Sequence, residues 1–158
     1  MVTRVLFICL GNICRSPIAE GVFRALIQER GIDDQFVVDS AGTAGYHVGE
    51  GPDERAVRAL KGRKVDISDL RARQLQSSDF DEFDYILVAD RQNLKDVQTL
   101  AGDNCHAEVR LFLSYDPESK VDEIPDPYYG GSEGFETVID LCKAASEKFL
   151  QHIQNPAK

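Results

Sequence analysis

The sequence predicts an α/β fold, an open parallel sheet of about four strands flanked by helices on both faces. Three observations support this. Short, largely apolar runs at 5–9, 36–38, 83–89 and 109–113 read as strands, and the first is continuous rather than alternating, as in a strand covered on both faces. Between them, apolar residues recur at helical spacing, so strand and helix alternate along the chain. The first run ends at Cys9, turns through a loop containing Gly11-Asn12 and enters a helix at Ser16-Pro17. Such a strand-loop-helix junction holds anions in doubly wound, flavodoxin-like sheets, so a phosphate-binding loop is expected directly after strand one.

The remaining elements follow in order. After Pro17, the residues Ile18, Val22 and Leu26, with Ala19, Phe23 and Ile27, trace one helix that Gly31 can stop. Phe36-Val37-Val38 forms the second strand and ends at Asp39-Ser40, on the sheet edge where ligands bind. Residues 43–53 make a glycine-rich loop carrying Tyr46, His47 and Pro52, and a short helix runs from about Asp53 to Lys61, where Gly62 ends it. Arg71 to Leu75 reads as a short strand. Phe83 to Ala89 is a clear strand ending at Asp90, which is placed to cap a helix from Arg91 to Leu100 with Gly102 behind it. Val109 to Leu113 supplies the last strand of the sheet. Residues 114–131, with Pro117, Pro125 and Pro127, form an acidic loop long enough to imply a function. A final helix from about Ser132 to Ile153 lines Phe135, Val138, Ile139, Cys142, Ala145, Phe149 and Leu150 along one side, which makes Cys142 a core residue.

The length of 158 residues suits one domain over 1–158, large enough to bury a core without staples. With 42% apolar and 28% charged residues, no repeat and no run of bilayer-spanning length, neither a membrane segment nor a secretory leader is expected, and the chain is placed in the cytoplasm. Cysteines 9, 14, 105 and 142 lack zinc-type spacing, so no metal site and no disulfide framework are expected. Cys105 falls in a polar loop with no assigned role. A formal charge of −9 and a pI near 4.8 argue against nucleic acid or an anionic membrane as partner. A bound anion would sit in one local pocket. Oligomeric state is not legible in the sequence.

The chemistry gathers in that first loop. Cys9 and Arg15 stand with five residues between them, a candidate nucleophile and a cation able to grip an oxyanion by two parallel hydrogen bonds. Backbone amides of Leu10, Gly11, Asn12, Ile13, Cys14 and Arg15 can curl inward as a cradle of phosphate size, with a helix dipole behind it. Gly11 permits close backbone approach, and Asn12 tolerates positive φ better than most residues. The same field stabilises a thiolate at Cys9.

The run Cys9-Leu10-Gly11-Asn12-Ile13-Cys14-Arg15-Ser16-Pro17 resembles the signature of the low-molecular-weight protein tyrosine phosphatases. Asp39-Ser40-Ala41-Gly42-Thr43 and Asp126-Pro127-Tyr128-Tyr129-Gly130-Gly131 match two further motifs in the right order, so the resemblance spans essentially the whole chain. It implies hydrolysis of protein phosphotyrosine through a phosphocysteine on Cys9, without metal or cofactor, and with inorganic phosphate or vanadate as inhibitors. Arg15 and the loop amides would hold the phosphoryl oxygens, and Asp126 would protonate the leaving phenolate and then activate water. Ser16 would donate to the thiolate, Ser40 would bond Asn12, and Asp90 would serve a structural purpose. Tyr46 on one side, with Tyr128 and Tyr129 on the other, would wall a slot deep enough to favour phosphotyrosine. His47 is left between a specificity contact and a solvated loop residue. Cys14 is expected to trap an oxidised Cys9 as a disulfide. Many relatives carry His where Leu70 stands, which bears on local hydrogen bonding rather than on the chemistry.

Three rival functions remain. A thiol-based arsenate reductase on the same fold needs a further cysteine pair, and 88–101 contains none. Relatives that act on phosphoarginine have Thr at the position of Ile13 and lack the tyrosine pair. A phosphopeptide-binding module would need neither Cys9 nor Asp126.

Overall fold

In a computed structural model of the chain, the described residues are 2–103, 105–128 and 130–155, with Ser132 described by its backbone only. Strands β1 (Thr3–Cys9), β2 (Phe36–Gly42), β3 (Tyr85–Val88) and β4 (Glu108–Leu111) form one parallel sheet in the order β2-β1-β3-β4. From β1 the chain moves outward to β2, then crosses back to β3 on the opposite side. That reversal opens a crevice beyond the C-terminal end of β1, the usual ligand position in open α/β sheets.

The continuous apolar runs have the expected cause. In β1, Val5, Phe7 and Cys9 enter a core built with the helices α1 (Arg15–Glu29), α2 (Glu54–Lys61) and α5 (Ser132–Gln154). Leu6 and Ile8 point to the other face, onto Phe80 of α3 (Asp79–Glu82) and Val97 of α4 (Arg91–Ala101). A strand buried on both faces cannot alternate in polarity. On the larger face Phe149 meets Phe23, Tyr85 and Tyr115 at ring-centroid distances of 5.6, 5.2 and 4.9 Å, each in tilted or edge-on geometry.

Three expectations are corrected. Arg71–Leu75 is not a strand but touches the sheet through a single bridge, Gly42 to Gln74. Within the sheet it shares backbone bonds with Gly42, whose amide donates to the Arg73 carbonyl and whose carbonyl accepts the Leu75 amide, while the Ala72 amide donates to the Glu50 carbonyl and the Arg73 amide to the Asn12 side chain, both in loops. The last apolar run leaves the sheet at Leu111, and residues Phe112–Tyr115 turn into a 3-10 helix that sets the Phe112 ring 5.0 Å from Phe7. Strand β2 extends past Ser40 to Gly42, because Asp39–Gly42 continue the parallel register against Leu6–Cys9. As expected, Pro17 falls in the first turn of α1, which starts at Arg15, and its missing N–H is no loss there. The short α3 had no counterpart in the sequence reading.

Candidate active site

Strand β1 delivers Cys9 to the sheet edge and α1 takes over at Arg15, so the five residues between them must reverse direction in a tight loop. Asn12 makes this possible with a φ of 58°. The loop carbonyls face away from its centre: those of Cys9, Leu10 and Ile13 accept the amides of Thr43, Ala44 and Asp53. The amides of Gly11, Ile13 and Cys14 bond no acceptor among the described residues, which leaves them as donors for an anion. The loop borders a cavity of about 240 Å³ whose walls include Cys9, Arg15, Tyr46, His47, Asp126 and Tyr128. Leu10, Gly11, Ile13 and Cys14 line its floor and sides. Gly11 is packed under the imidazole of His47, and a Cβ there would meet the ring at 3.0 Å.

Donor and acceptor roles around Cys9 are forced by a buried carboxylate. Glu20 is 1% exposed and accepts from Arg24 Nε at 2.8 Å and from Ser40 Oγ at 2.7 Å. Having spent its one proton on Glu20, Ser40 can only accept from Asn12 Nδ2, at 2.9 Å. The second Asn12 Nδ2 proton goes to Ser16 Oγ at 2.8 Å, while Asn12 Oδ1 accepts the Arg73 amide at 3.0 Å and so fixes the side-chain amide orientation. Ser16 thereby keeps its own proton for Cys9 Sγ, 3.0 Å away, and the Asn12 amide points at the same sulfur from 3.3 Å. Two donors are thus aimed at one sulfur. Burial holds the Glu20 carboxyl above its ordinary value, against the opposing pull of Ser40 and Arg24.

Arg15 is 5% exposed and oriented from behind. Its Nη1 donates to Asp90 Oδ2 at 2.7 Å and to the Ile124 carbonyl at 3.0 Å. The Nε and Nη2 edge has no protein acceptor among the described residues, which leaves a fork for two oxygens of an anion. Burial opposes the charge of Arg15, but Cys9, Asp90 and Asp126 outweigh it and raise its pKa. Asp90 combines two tasks, since its Oδ1 also caps α4 by accepting the Asn93 amide at 2.8 Å. Asp126 reaches the cavity from the opposite loop, and its Oδ1 accepts the Tyr128 amide at 3.0 Å.

Most of the expected residues come together. Tyr46 and Tyr128 both border the cavity, 74% and 38% exposed, while Tyr129 lies outside the described residues. His47 sits at the rim, with Nδ1 3.0 Å from Glu50. Cys105 is apart from the site, bonded to the Ala107 carbonyl, and Cys142 is sealed in the core, where burial pushes its thiol up. Leu70 packs against the larger core face. The sequence reading missed Glu20, Arg73, Asp53 and Arg55. Only Asp53-x-Arg55 left a trace there, as a helix start followed by a cation.

The fold and loop place an anion cradle with a buried cysteine at its floor at the switch point of a parallel sheet. The chain belongs to the family described as low molecular weight phosphotyrosine protein phosphatase, which it matches over residues 4–158. It is 45% identical over 149 residues to the low molecular weight phosphotyrosine protein phosphatase of Homo sapiens, covering 93% of each chain. Among solved structures it resembles a protein tyrosine phosphatase from Entamoeba histolytica with Hepes in the active site, with a TM-score of 0.94, 36% identity and 99% coverage of both chains. A drosophila arginine phosphatase is similar with a TM-score of 0.89 and 33% identity, covering 95% of this chain and 97% of that one. No helix among the described residues is long and apolar enough to cross a membrane.

Proposed function

We propose that residues 1–158 act as one phosphatase domain that hydrolyses protein phosphotyrosine and small aryl phosphates. One observation supports this above the others: the Cys9 sulfur receives two hydrogen bonds at the floor of a pocket ringed by unpaired amides and the open edge of Arg15. The Cys9 thiolate attacks phosphorus in line, forming the S–P bond as the P–O bond to the phenol breaks. Arg15 and the free loop amides, those of Gly11, Ile13 and Cys14, hold the three equatorial oxygens, whose charge grows in the transition state. Asp126 gives its proton to the departing phenolate and takes one from the water that then breaks the S–P bond, releasing inorganic phosphate. Tyr46 and Tyr128 flank the aryl ring, with Tyr129 assigned to the same wall from its motif.

No metal or cofactor enters this scheme. Inorganic phosphate and vanadate are expected to compete with substrate for the same cradle, and a reactive thiolate suits a reducing cytoplasm. Activity on phosphoarginine is disfavoured by Ile13, where relatives of that type resemble the chain but carry Thr. The test replaces Cys9 with Ser and follows an aryl phosphate. Turnover should vanish while phosphate or vanadate still binds, and appreciable turnover by the Ser variant would remove Cys9 from its role.

A further inference from the structure

We infer that Arg55 is the positioning residue that ties the acid loop to the phosphate loop. The tie begins at Ile13, whose carbonyl accepts the Asp53 amide at 2.8 Å. Asp53 caps α2 through the Arg55 amide and also receives the guanidinium side-on, with Nε to Oδ1 and Nη2 to Oδ2 both at 3.0 Å. From that fixed seat Arg55 Nη2 reaches the Tyr128 carbonyl at 2.8 Å, and Nη1 reaches the Gly130 carbonyl at 3.4 Å. Its Cζ lies 5.4 Å from the Tyr128 ring centroid and 4.9 Å from that of Phe135, a residue buried in the core at the start of α5. The Tyr128 amide, on the far side of the same residue, holds Asp126 Oδ1 at 3.0 Å. One side chain therefore fixes the residue that aims the carboxyl, and its anchor is the residue that braces the cradle.

The chemical consequence is specific. A loop with three prolines and no sheet partner can place Asp126 in many orientations, and only those near the leaving oxygen transfer a proton. Arg55 is not among the residues that line the cavity, so it reaches the proton transfer through the loop that carries Asp126. The inference rests on the reading of Asp126 as the acid, and the experiment separates the two. kcat/KM, which reports the step that phosphorylates Cys9, is measured on tyrosine phosphate and on dinitrophenyl phosphate, whose leaving group departs unprotonated. Wild type, Arg55→Lys, Asp126→Asn and the double variant are compared. Lysine keeps the charge but cannot clasp Asp53 side-on and reach the Tyr128 carbonyl together.

Arg55→Lys should lower kcat/KM for tyrosine phosphate about tenfold and for dinitrophenyl phosphate less than about twofold, and should add nothing in the Asp126→Asn background. Equal loss on both substrates, no loss on either, or a tenfold loss that persists without Asp126 would overturn the assignment. If Asp126→Asn alone showed no dependence on the leaving group, the acid reading would fall first and this one with it. Thermal unfolding accompanies each variant, and Arg55→Gln replaces Arg55→Lys should the latter not fold.

Discussion

Asn12 concentrates more of the site than its small size suggests. Its backbone supplies the positive φ that turns the loop, its amide faces Cys9, and its side chain makes three further hydrogen bonds, to Ser16, Ser40 and Arg73. Glycine and alanine separate these duties. Asn12→Gly keeps the backbone freedom and deletes the side chain, whereas Asn12→Ala deletes the side chain and adds strain of about 1–2 kcal/mol at positive φ. Both should lower kcat/KM by about tenfold or more, because Ser16 no longer has its proton committed to sulfur. Only Asn12→Ala should show the additional loss in urea unfolding. A glycine variant with full kcat/KM would show that the Glu20-to-Ser16 chain has no bearing on Cys9.

Among the elements, the β1-loop-α1 junction sets the redox behaviour we propose for Cys9. Cys14 stands just before the first residue of α1 at 5% exposure, and burial, reinforced by Asp53, Cys9 and Asp126, pushes its thiol up to about 12. Peroxide should therefore convert Cys9 to its sulfenic acid while Cys14 remains protonated. Closure of a Cys9–Cys14 disulfide requires Cys14 to lose its proton, so the yield at fixed peroxide should rise with pH. Peptide mapping by mass spectrometry measures that yield, and Cys14→Ser should regain less activity with dithiothreitol. A yield independent of pH, or a disulfide through Cys105, would end the proposal. This junction was legible in the sequence because its parts are contiguous: an apolar run, Gly11-Asn12, then Ser16-Pro17. Arg71–Leu75 reads as a strand but meets the sheet only at Gly42, its other backbone bonds going to loops distant in sequence. Phe112 and Leu113 were assigned to a strand because a buried 3-10 turn and a buried strand leave the same apolar pattern. Glu20 was invisible for a related reason: a carboxylate on an otherwise apolar helix face shows its purpose only once Ser40 arrives from β2.

At the scale of the whole molecule, a chain of charge −9 binds an anion by keeping positive potential local. The sheet order brings the loop after β1, Asp90 after β3 and the acid loop after β4 to one edge, and Arg15 draws them together through Asp90 and Ile124. Helices on both faces bury β1 and hold Cys9 at 3% exposure, at the lining of the pocket. The central claim is that phosphoryl transfer passes through sulfur. It is tested most directly by mixing enzyme with an aryl phosphate, quenching in denaturant within the first turnover, and mapping the peptides by mass spectrometry. The account predicts one phosphoryl group on the peptide containing Cys9, formed as fast as the phenol is released and accumulating further when Asp126 is replaced by Asn with a dinitrophenyl substrate. Phenol release at full rate with Cys9 unmodified, or a phosphoryl group on any other residue, would contradict it.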